Sequence, residues 1–519
     1  MSKKLFKSGM IVSAMTLISR VLGLVRDVVI ANLMGAGSSA DVFFFANKIP
    51  NFLRRLFAEG AFAQAFVPVL TEYQEKQQQE EVRQLLAKVA GTLGLVITIV
   101  TLIGVIASPV LTALFGGGWF LAWLNDEPNG EKFELASLML KITFPYLWFI
   151  TFTALAGSIL NTRGRFAVSA FTPVFLNVAI ISAAIYLAPN LEQPEIGLAW
   201  GVFAGGAIQF LFQIPFLFRE RVLVKPSWGW HHPGVVKIRT LMIPALFGVS
   251  VSQINLLLDT FIASFLVTGS ISWLYYSDRL LEFPLGLFGI AIATVILPAL
   301  SRNHVNAEGQ GFSKTMDWGV KAIILLGLPA MCGLIVLAKP MLMVLFMRGA
   351  FSVDDVNMAS YSLMAYGSGL LSFMMIKVLA PGYYSRQDTK TPVRYGIIAM
   401  VSNMAFNLIL VFPLGYVGLA IATSMSALLN ATLLYRGLHQ AGVYRVSLQT
   451  LLFFCKTLVA AVLMVITLYQ LLPAMDEWLA FSFMQRVINL LQLIAGGAVV
   501  YLLTMILLGI RPWRMKAGV

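Results

Sequence analysis

The feature that most constrains this chain is the recurrence of long apolar stretches, of which fourteen can be marked between residues 10 and 509. An apolar stretch of about 20 residues is long enough to cross the hydrocarbon core of a bilayer as a helix. Fourteen such helices would use roughly 280 residues, which leaves short loops and no large soluble domain in a chain of 519 residues. We therefore predict an all-α polytopic membrane protein with 14 transmembrane helices.

The distribution of charge predicts how these helices are oriented. If each loop is numbered by the stretches that precede it, the even-numbered segments, including both termini, hold most of the 37 Lys and Arg residues. The odd-numbered loops hold three basic residues, Lys132, Lys339 and Arg348, against ten acidic ones. Because basic loops stay on the cytoplasmic side, both termini are predicted to be cytoplasmic. The net charge of +13 then reflects membrane topology and does not indicate a nucleic-acid partner.

The N-terminal segment is predicted to be the first membrane helix. Its basic start followed by Gly9–Leu17 resembles a signal peptide, but no small-residue cleavage site follows, so an uncleaved first helix is predicted. There is no Gly-x-x-x-x-Gly-Lys-Ser/Thr phosphate loop, and no catalytic triad or metal-ligand spacing stands out. We predict a transporter without a bound cofactor, driven by the membrane potential, by an ion gradient or by consumption of its substrate.

An internal repeat predicts two lobes. Residues Ala61–Leu70 resemble Ala291–Leu300, with a proline at the matching positions Pro68 and Pro298. Each half would contain six helices, an even number, so the halves would run in the same direction as parallel repeats. The predicted parts are 1–222, 223–447 and a final pair of helices in 448–519. The identities are few, so chance similarity remains the alternative.

Charged residues inside the apolar stretches carry the functional argument. An Arg or Lys at the bilayer centre costs about 2.5–3.5 kcal/mol, so such side chains must face water or each other. Spacing offers pairs for Arg20 with Asp27, Arg55 with Glu59 and Arg279 with Glu282, and it places Asp41, Lys48 and Arg55 seven residues apart. The charged set comprises Arg20, Arg26, Asp27, Asp41, Lys48, Arg54, Arg55, Glu59, Asp259, Asp278, Arg279, Glu282 and Lys377.

Two explanations of this set are open. The charges could be structural salt bridges at helix ends, or side chains that reach outward to the membrane surface. Their clustering at the starts of both halves favours an aqueous cavity shared by the lobes. The planar fork of arginine binds phosphate through two hydrogen bonds at once, which makes Arg54, Arg55 and Arg279 the best candidates for an anion site. The predicted substrate therefore carries phosphate or another anion.

Several polar motifs within apolar sequence resemble one family. They are SRVLGLVRD at 19–27, GAGSSAD at 35–41, PNFLRRLFAEG at 50–60, YYSDRLLEFP at 275–284 and KVLAPGYYSRQD at 377–388. Together they resemble the MurJ (MviN) family, gammaproteobacterial type, of the multidrug/oligosaccharidyl-lipid/polysaccharide exporter superfamily. The resemblance covers essentially the whole chain.

The resemblance implies a flippase for lipid II, the undecaprenyl-pyrophosphate-linked precursor of peptidoglycan, in the bacterial inner membrane. It implies alternating access through a cationic cavity, a lipid-tail groove in the last two helices, and proximity to the cell-wall synthesis machinery. The family's substrate-binding positions match Arg20, Arg26, Arg54, Arg55, Ser272, Arg279 and Lys377. Its gating positions are assigned to Asp41, Glu59, Asp278 and Glu282. A sodium site is expected at Asp259, Asn403 and Asn407, with a buried, hydrogen-bonded aspartate as the equally weighted alternative.

Other functions remain in competition. A flippase for another polyprenyl-linked oligosaccharide would also use a basic cavity. A multidrug or cation exporter of the same superfamily would share the architecture, but it should present carboxylates and aromatic rings to its substrate. A scaffold of the division machinery would not need charges inside its membrane helices.

Overall fold

The computed structural model describes residues 3–56, 61–307 and 309–515, and in this part of the chain the regular structure is helical throughout. Residues 1–272 and 273–519 form two compact units. The predicted division at residues 222 and 447 therefore stays a prediction. The helices of the first unit are α1 (Lys3–Met34), α2 (Ser38–Arg54), α3 (Phe62–Lys76), α4 (Gln79–Ile106), α5 (Ser108–Phe115), α6 (Gly117–Leu124), α7 (Glu131–Thr143), α8 (Tyr146–Thr162), α9 (Phe166–Phe171), α10 (Pro173–Ser182), α11 (Pro194–Arg219) and α12 (Pro233–Ala263).

The second unit continues the same pattern of long apolar helices joined by short turns. Its first helix begins in the last residues of the first unit. The helices are α13 (Ser270–Pro284), α14 (Ile290–Val305), α15 (Gly309–Val336), α16 (Ala338–Phe346), α17 (Val353–Gly367), α18 (Leu370–Tyr384), α19 (Lys390–Leu414), α20 (Tyr416–Gln440), α21 (Leu448–Leu471), α22 (Met475–Ala480) and α23 (Phe483–Leu507).

Eleven helical segments of the described residues are long and apolar enough to cross a membrane. The other three of the fourteen predicted stretches fall on α1, on α2 with α3, and on α12, which contribute charged side chains such as Arg26, Asp41 and Asp259. Of these helices, α1 has 32 residues and α12 has 31, whereas α2 has 17 and α3 has 15. The chain is thus a multi-pass, all-helical membrane protein, and fourteen spans are consistent with its helices.

The core of the first unit lies where α3, α4, α8 and the start of α12 meet. Phe66, Leu70, Leu85 and Leu160 are fully buried there. In the second unit α15 packs against α14, α18 and α21. Both segments of the predicted repeat are helical, since Pro68 lies inside α3 and Pro298 inside α14; the repeat itself stays a prediction.

The final pair of helices is fixed to α15 by polar contacts. Thr450 and Tyr444 donate hydrogen bonds to the Asp317 carboxylate, at 2.5 and 3.0 Å. Further along the pair, the Tyr501 hydroxyl donates to the Leu325 carbonyl at 2.7 Å. The helices α21 and α23 also pack on each other. They therefore form one body with α15.

Helix α2 contains Pro50, which has no N–H to offer the carbonyl of Ala46 four residues earlier. A side chain from another helix supplies the missing donor, because the Thr143 hydroxyl of α7 donates to the Ala46 carbonyl at 3.1 Å. Buried carbonyls need such partners. The contact joins the middle of α2 to the last residue of α7, and it holds together the two helices that carry Asp41 and Lys132.

Candidate functional site

Two of the three polar residues of α2 that were predicted from the seven-residue spacing, Lys48 and Arg55, contact helix α12. Lys48 Nζ donates to Thr260 Oγ1 at 3.0 Å, and Arg55 Nη1 donates to Gln253 Oε1 at 3.3 Å. Thr260 and Gln253 are themselves seven residues apart on α12, in the reverse order. The two helices therefore run antiparallel with matching rows of polar groups. We call these contacts the α2–α12 row.

Asp41 closes one end of this row, where it is only 2% exposed. Its Oδ1 accepts hydrogen bonds from the Ser272 hydroxyl at 2.6 Å and the Ser272 amide at 3.0 Å, and its Oδ2 accepts from the Gly269 amide at 2.7 Å. Hydrogen bonds to an ionised acceptor are about twice as strong as neutral ones. The carboxylate thus binds the turn between α12 and α13. We call this turn, residues 267–272, the clasp segment.

A second charged residue holds the clasp segment from α7. Lys132 is 5% exposed; its Nζ donates to Thr268 Oγ1 at 2.8 Å and lies 3.9 Å from Asp41 Oδ2. The ammonium group also lies 5.6 Å from the centre of the Trp119 ring. Sequence reasoning missed Lys132, because it counted this residue among the loops. Its rarity was a usable signal, since it is one of three basic residues in the odd-numbered loops.

Three consecutive glycines allow α12 to approach closely beside the clasp segment. The Gly118 amide donates to Ser264 Oγ at 2.9 Å. A Cβ atom at Gly118 would lie 2.6 Å from the Phe265 nitrogen and closer still to the Ser264 carbonyl, while one at Gly117 would overlap the Phe261 ring. Only a bare backbone fits here. Two glycines of the run Gly116–Gly118, Gly117 and Gly118, therefore allow the end of α12 and the residues after it to pack closely.

The opposite end of the row is more open. Arg55 is exposed, and Arg54 is half-buried with its Nε donating to Asn51 Oδ1 at 3.2 Å. Glu59, the predicted partner of Arg55, lies outside the described residues. The basic side chains at this end are therefore accessible from solvent, whereas the Asp41 end is sealed.

On α1 the structure pairs Asp27 with its neighbour. Arg26 Nη2 lies 2.9 Å from Asp27 Oδ1, and Arg26 Nη1 donates to Asn177 Oδ1 on α10 at 3.0 Å. The spacing argument had offered Asp27 to Arg20. Arg20 instead lies exposed on α1. Arg26 therefore belongs to a partly buried polar network, and Arg20 to the accessible surface.

In the second unit the predicted pair on α13 is present. Arg279 Nη1 lies 2.9 Å from Glu282 Oε2, with the guanidinium 5.9 Å from the centre of the Tyr275 ring. Asp278 is half-buried on the same helix, and Lys377 is exposed on α18. Ser272, predicted to touch substrate, is fully buried with its hydroxyl on Asp41. A substrate contact by Ser272 stays a prediction for another conformation.

The residues predicted to bind sodium differ in their surroundings. Asn403 and Asn407 are buried one turn apart on α19, and Asn403 Oδ1 accepts no hydrogen bond within the described residues. An amide oxygen without a donor suits a hard cation, which prefers oxygen ligands. Asp259 is half-buried on α12 in the first unit. The described residues contain no cluster of three or more His, Cys, Asp or Glu side chains that could hold a metal ion.

Comparisons with known proteins agree over nearly the whole chain. A model of the family described as lipid II flippase MurJ matches residues 30–489. The chain is 69% identical over 517 residues to a probable lipid II flippase MurJ of Vibrio cholerae, which covers 100% of this chain and 98% of that protein. It is 40% identical over 484 residues to the lipid II flippase MurJ of Burkholderia cenocepacia, covering 92% of this chain and 91% of that protein.

Solved structures give the same result. A structure of lipid II flippase MurJ in an inward closed conformation matches with a TM-score of 0.81 at 28% identity, covering 96% of this chain and 98% of that one. An inward-facing multidrug transporter of the MATE family matches with a TM-score of 0.68 at 14% identity, over 83% of this chain and 97% of that one, which shows a shared fold only. The chain therefore belongs to the MurJ family of lipid II flippases.

Proposed function

We propose that this chain moves lipid II from the cytoplasmic to the periplasmic leaflet of the bacterial inner membrane, with both termini in the cytoplasm. The observation that carries the proposal beyond family membership is the exposure of Arg20, Arg55 and Lys377 on helices of a membrane protein. Lipid would make such exposed cations costly. They are stable beside water and anions, as in a cationic cavity that receives a pyrophosphate head group.

The paired arginines suggest how binding is coupled to movement. Arg26, Arg54 and Arg279 would bind the pyrophosphate, with Arg20, Arg55 and Lys377 adding to the positive field. Arg26 and Arg279 now face the carboxylates of Asp27 and Glu282. A pyrophosphate carries more negative charge than one carboxylate, so it would displace these partners. Contacts that differ between the empty and loaded states are what a substrate needs in order to shift a conformational equilibrium.

Acidic residues would act as gates, and an ion or the membrane potential would supply the energy. Asp41, Asp278, Glu282 and Glu59 would form ion pairs or hydrogen bonds in one facing state and release them in the other. Coupling to Na⁺ or H⁺ would use the oxygen atoms of Asp259, Asn403 and Asn407, and the membrane potential would supply about 2.3 kcal/mol per charge per 100 mV. Besides lipid II, the partners would be membrane lipids and the cell-wall synthesis machinery.

The rival functions account less well for the same residues. A cation exporter would need acidic groups facing its substrate, whereas three of the four exposed charges among the described residues of the predicted set are basic, namely Arg20, Arg55 and Lys377, and the fourth, Glu282, is paired with Arg279. A flippase for a different polyprenyl-linked sugar fits the charge equally well, so substrate identity must be measured directly. A scaffold without transport would tolerate loss of these charges.

The test is the exposure of lipid II head groups in cells depleted of the native protein. Depleted cells would be complemented with the native chain, Arg279→Ala, Arg279→Lys or the loop control Lys225→Ala, at equal membrane abundance. A hydrogen bond to a charged group is worth about 1.5–3 kcal/mol, so Arg279→Ala should lower periplasmic lipid II about ten- to hundredfold. Arg279→Lys should fall between, because it keeps the charge and loses the fork.

Each other outcome identifies what has failed. If Arg279→Ala restores as much periplasmic lipid II as the native chain, Arg279 is structural and the binding assignment is wrong. If the native chain itself leaves lipid II cytoplasmic, the substrate is wrong, and other polyprenyl-linked oligosaccharides are the next ones to assay.

A further inference from the structure

Opening the clasp segment would create an electrostatic problem. The three hydrogen bonds that Gly269 and Ser272 donate to Asp41 all come from this segment. Lys132 holds the same segment through Thr268. When the segment withdraws, a buried carboxylate and a buried ammonium lose these partners together. A buried charge left without a partner is strongly destabilising.

We infer that Lys132 takes over the Asp41 carboxylate when the clasp segment leaves, so that each residue replaces the partner that the other has lost. The inference rests on the proposed function, because it supposes that the clasp opens during transport. Lys132 Nζ already lies 3.9 Å from Asp41 Oδ2. Rotation of a flexible four-carbon side chain is enough to shorten this distance to a direct ion pair of about 2.8 Å.

The two helices that carry the pair are held together independently of the clasp segment. Thr143 of α7 donates to the Ala46 carbonyl of α2, and the two helices pack along their length. Asp41 and Lys132 therefore stay close when the turn moves away. The clasp has two satisfied arrangements: both charges on the segment, or both charges on each other. An element of this kind can switch, since neither state leaves a charge unpaired.

This arrangement predicts that substitutions of Lys132 and Asp41 shift the balance between the closed and the open clasp in opposite directions. In the closed state Lys132 donates to Thr268, and a glutamine at this position keeps an N–H donor. In the open state Lys132 would be the cation that neutralises Asp41, so its removal penalises opening more than closing. Lys132→Gln should therefore favour the closed clasp. Asp41→Asn should favour the open clasp, because it removes the acceptor for Gly269 and Ser272. A simple structural salt bridge would shift both variants the same way.

The experiment measures the clasp directly. Spin labels would be attached to cysteines at Val267, which is exposed in the clasp segment, and at Glu127, which is exposed between α6 and α7. Cys332 and Cys455, the free thiols, would be replaced by serine. Distance distributions would be recorded in lipid nanodiscs, without substrate, for the parent, Lys132→Gln, Lys132→Arg and Asp41→Asn.

The expected result is a fall of about tenfold or more in the ratio of separated to close labels for Lys132→Gln. Asp41→Asn should raise that ratio, and Lys132→Arg, which keeps the charge, should stay near the parent. If Lys132→Gln raises the ratio as Asp41→Asn does, Lys132 only braces the closed state and the inference is wrong. An unchanged ratio in Lys132→Gln would overturn it too.

The same samples separate this inference from the proposed function. Lipid II translocation would be assayed in proteoliposomes made from the unlabelled variants. If Lys132→Gln and Asp41→Asn shift the label distances in opposite directions but the parent transports no lipid II, the inference about Lys132 holds and lipid II is not the substrate. If the parent transports lipid II but both variants shift the distances in the same direction, the proposed function holds and the inference about Lys132 is wrong.

Discussion

The two ends of the α2–α12 row differ in burial and in the number of hydrogen bonds. At one end Asp41 is buried, accepts three hydrogen bonds and lies beside a glycine run that admits backbone contact. At the other end Arg55 is exposed and donates a hydrogen bond of 3.3 Å to Gln253. The first end lies where the charge distribution predicts the periplasm. One pair of helices is therefore tightly joined at the Asp41 end and loosely joined at the Arg55 end.

Close packing at the Asp41 end therefore depends on the absence of side chains at the glycines as much as on charge. The substitution expected to disturb this packing most is Gly118→Ala, because the added methyl group meets the backbone of Ser264 and Phe265. Backbone cannot rotate away, and overpacking costs about 1–3 kcal/mol. We expect up to a hundredfold loss of the closed clasp in the label-distance measurement.

Gly37→Ala is the matched control for Gly118→Ala. A Cβ atom at Gly37 would meet nothing within 4 Å, and this glycine precedes the same helix that carries Asp41. It should leave the distances unchanged. A closed clasp in Gly118→Ala would mean that the glycine run does not set the approach of α12.

A smaller effect is expected for Ser272→Ala, which removes the hydroxyl that donates to Asp41 at 2.6 Å but keeps the backbone donor of the same residue. Loss of a hydrogen bond to a charged group costs about 1.5–3 kcal/mol; because the backbone donor remains, we expect the lower end of this range, a fall of about tenfold in the ratio of closed to open clasp. The measurement also tests the predicted substrate contact. If label distances stay constant while the apparent affinity for lipid II falls, Ser272 acts on substrate and does not hold the clasp.

The smallest effect is expected for Glu72→Gln, at an exposed contact between α3 and α12. Lys237 of α12 lies 3.1 Å from the Glu72 carboxylate, and this hydrogen-bonded pair holds the pKa of Glu72 below its ordinary value. The lowered pKa means that the pair stabilises α3 against α12 above the ordinary pKa of glutamate, and that this contribution is lost as pH falls through the lowered value. Exposed ion pairs contribute little to the free energy of unfolding. The unfolding temperatures of the variant and the parent at neutral pH should therefore agree closely, and a large drop in the variant would show that this ion pair stabilises the protein substantially.

The sequence was sufficient for the helices and for which of them carry charge. Apolar stretches and the uneven distribution of basic residues depend on local composition, and these patterns predicted both the all-helical fold and the polar row of Asp41, Lys48 and Arg55. Ion pairs between residues four or fewer positions apart on one helix could also be predicted from the sequence, as Arg279 with Glu282 shows.

The partners across the fold were not accessible from the sequence. Nothing in the spacing links Asp41 to Gly269 or Lys132, because those contacts depend on how separate helices pack. Arg26 illustrates the same limit: its side chain bonds Asn177, 151 positions away, and takes the aspartate that periodicity had offered to Arg20. Burial was equally hidden, since Lys132 looked like an ordinary loop lysine until its neighbours were known.

The hydroxyl that Thr143 provides to the Ala46 carbonyl gives α2 a mechanical property. A proline normally leaves a helix with one unsatisfied carbonyl, and bending then exposes it further. Here that carbonyl accepts a hydrogen bond from outside the helix. The point at which Pro50 interrupts the main-chain hydrogen bonding of α2 is therefore bound to α7, so the course of α2 on either side of the proline depends on how these two helices pack.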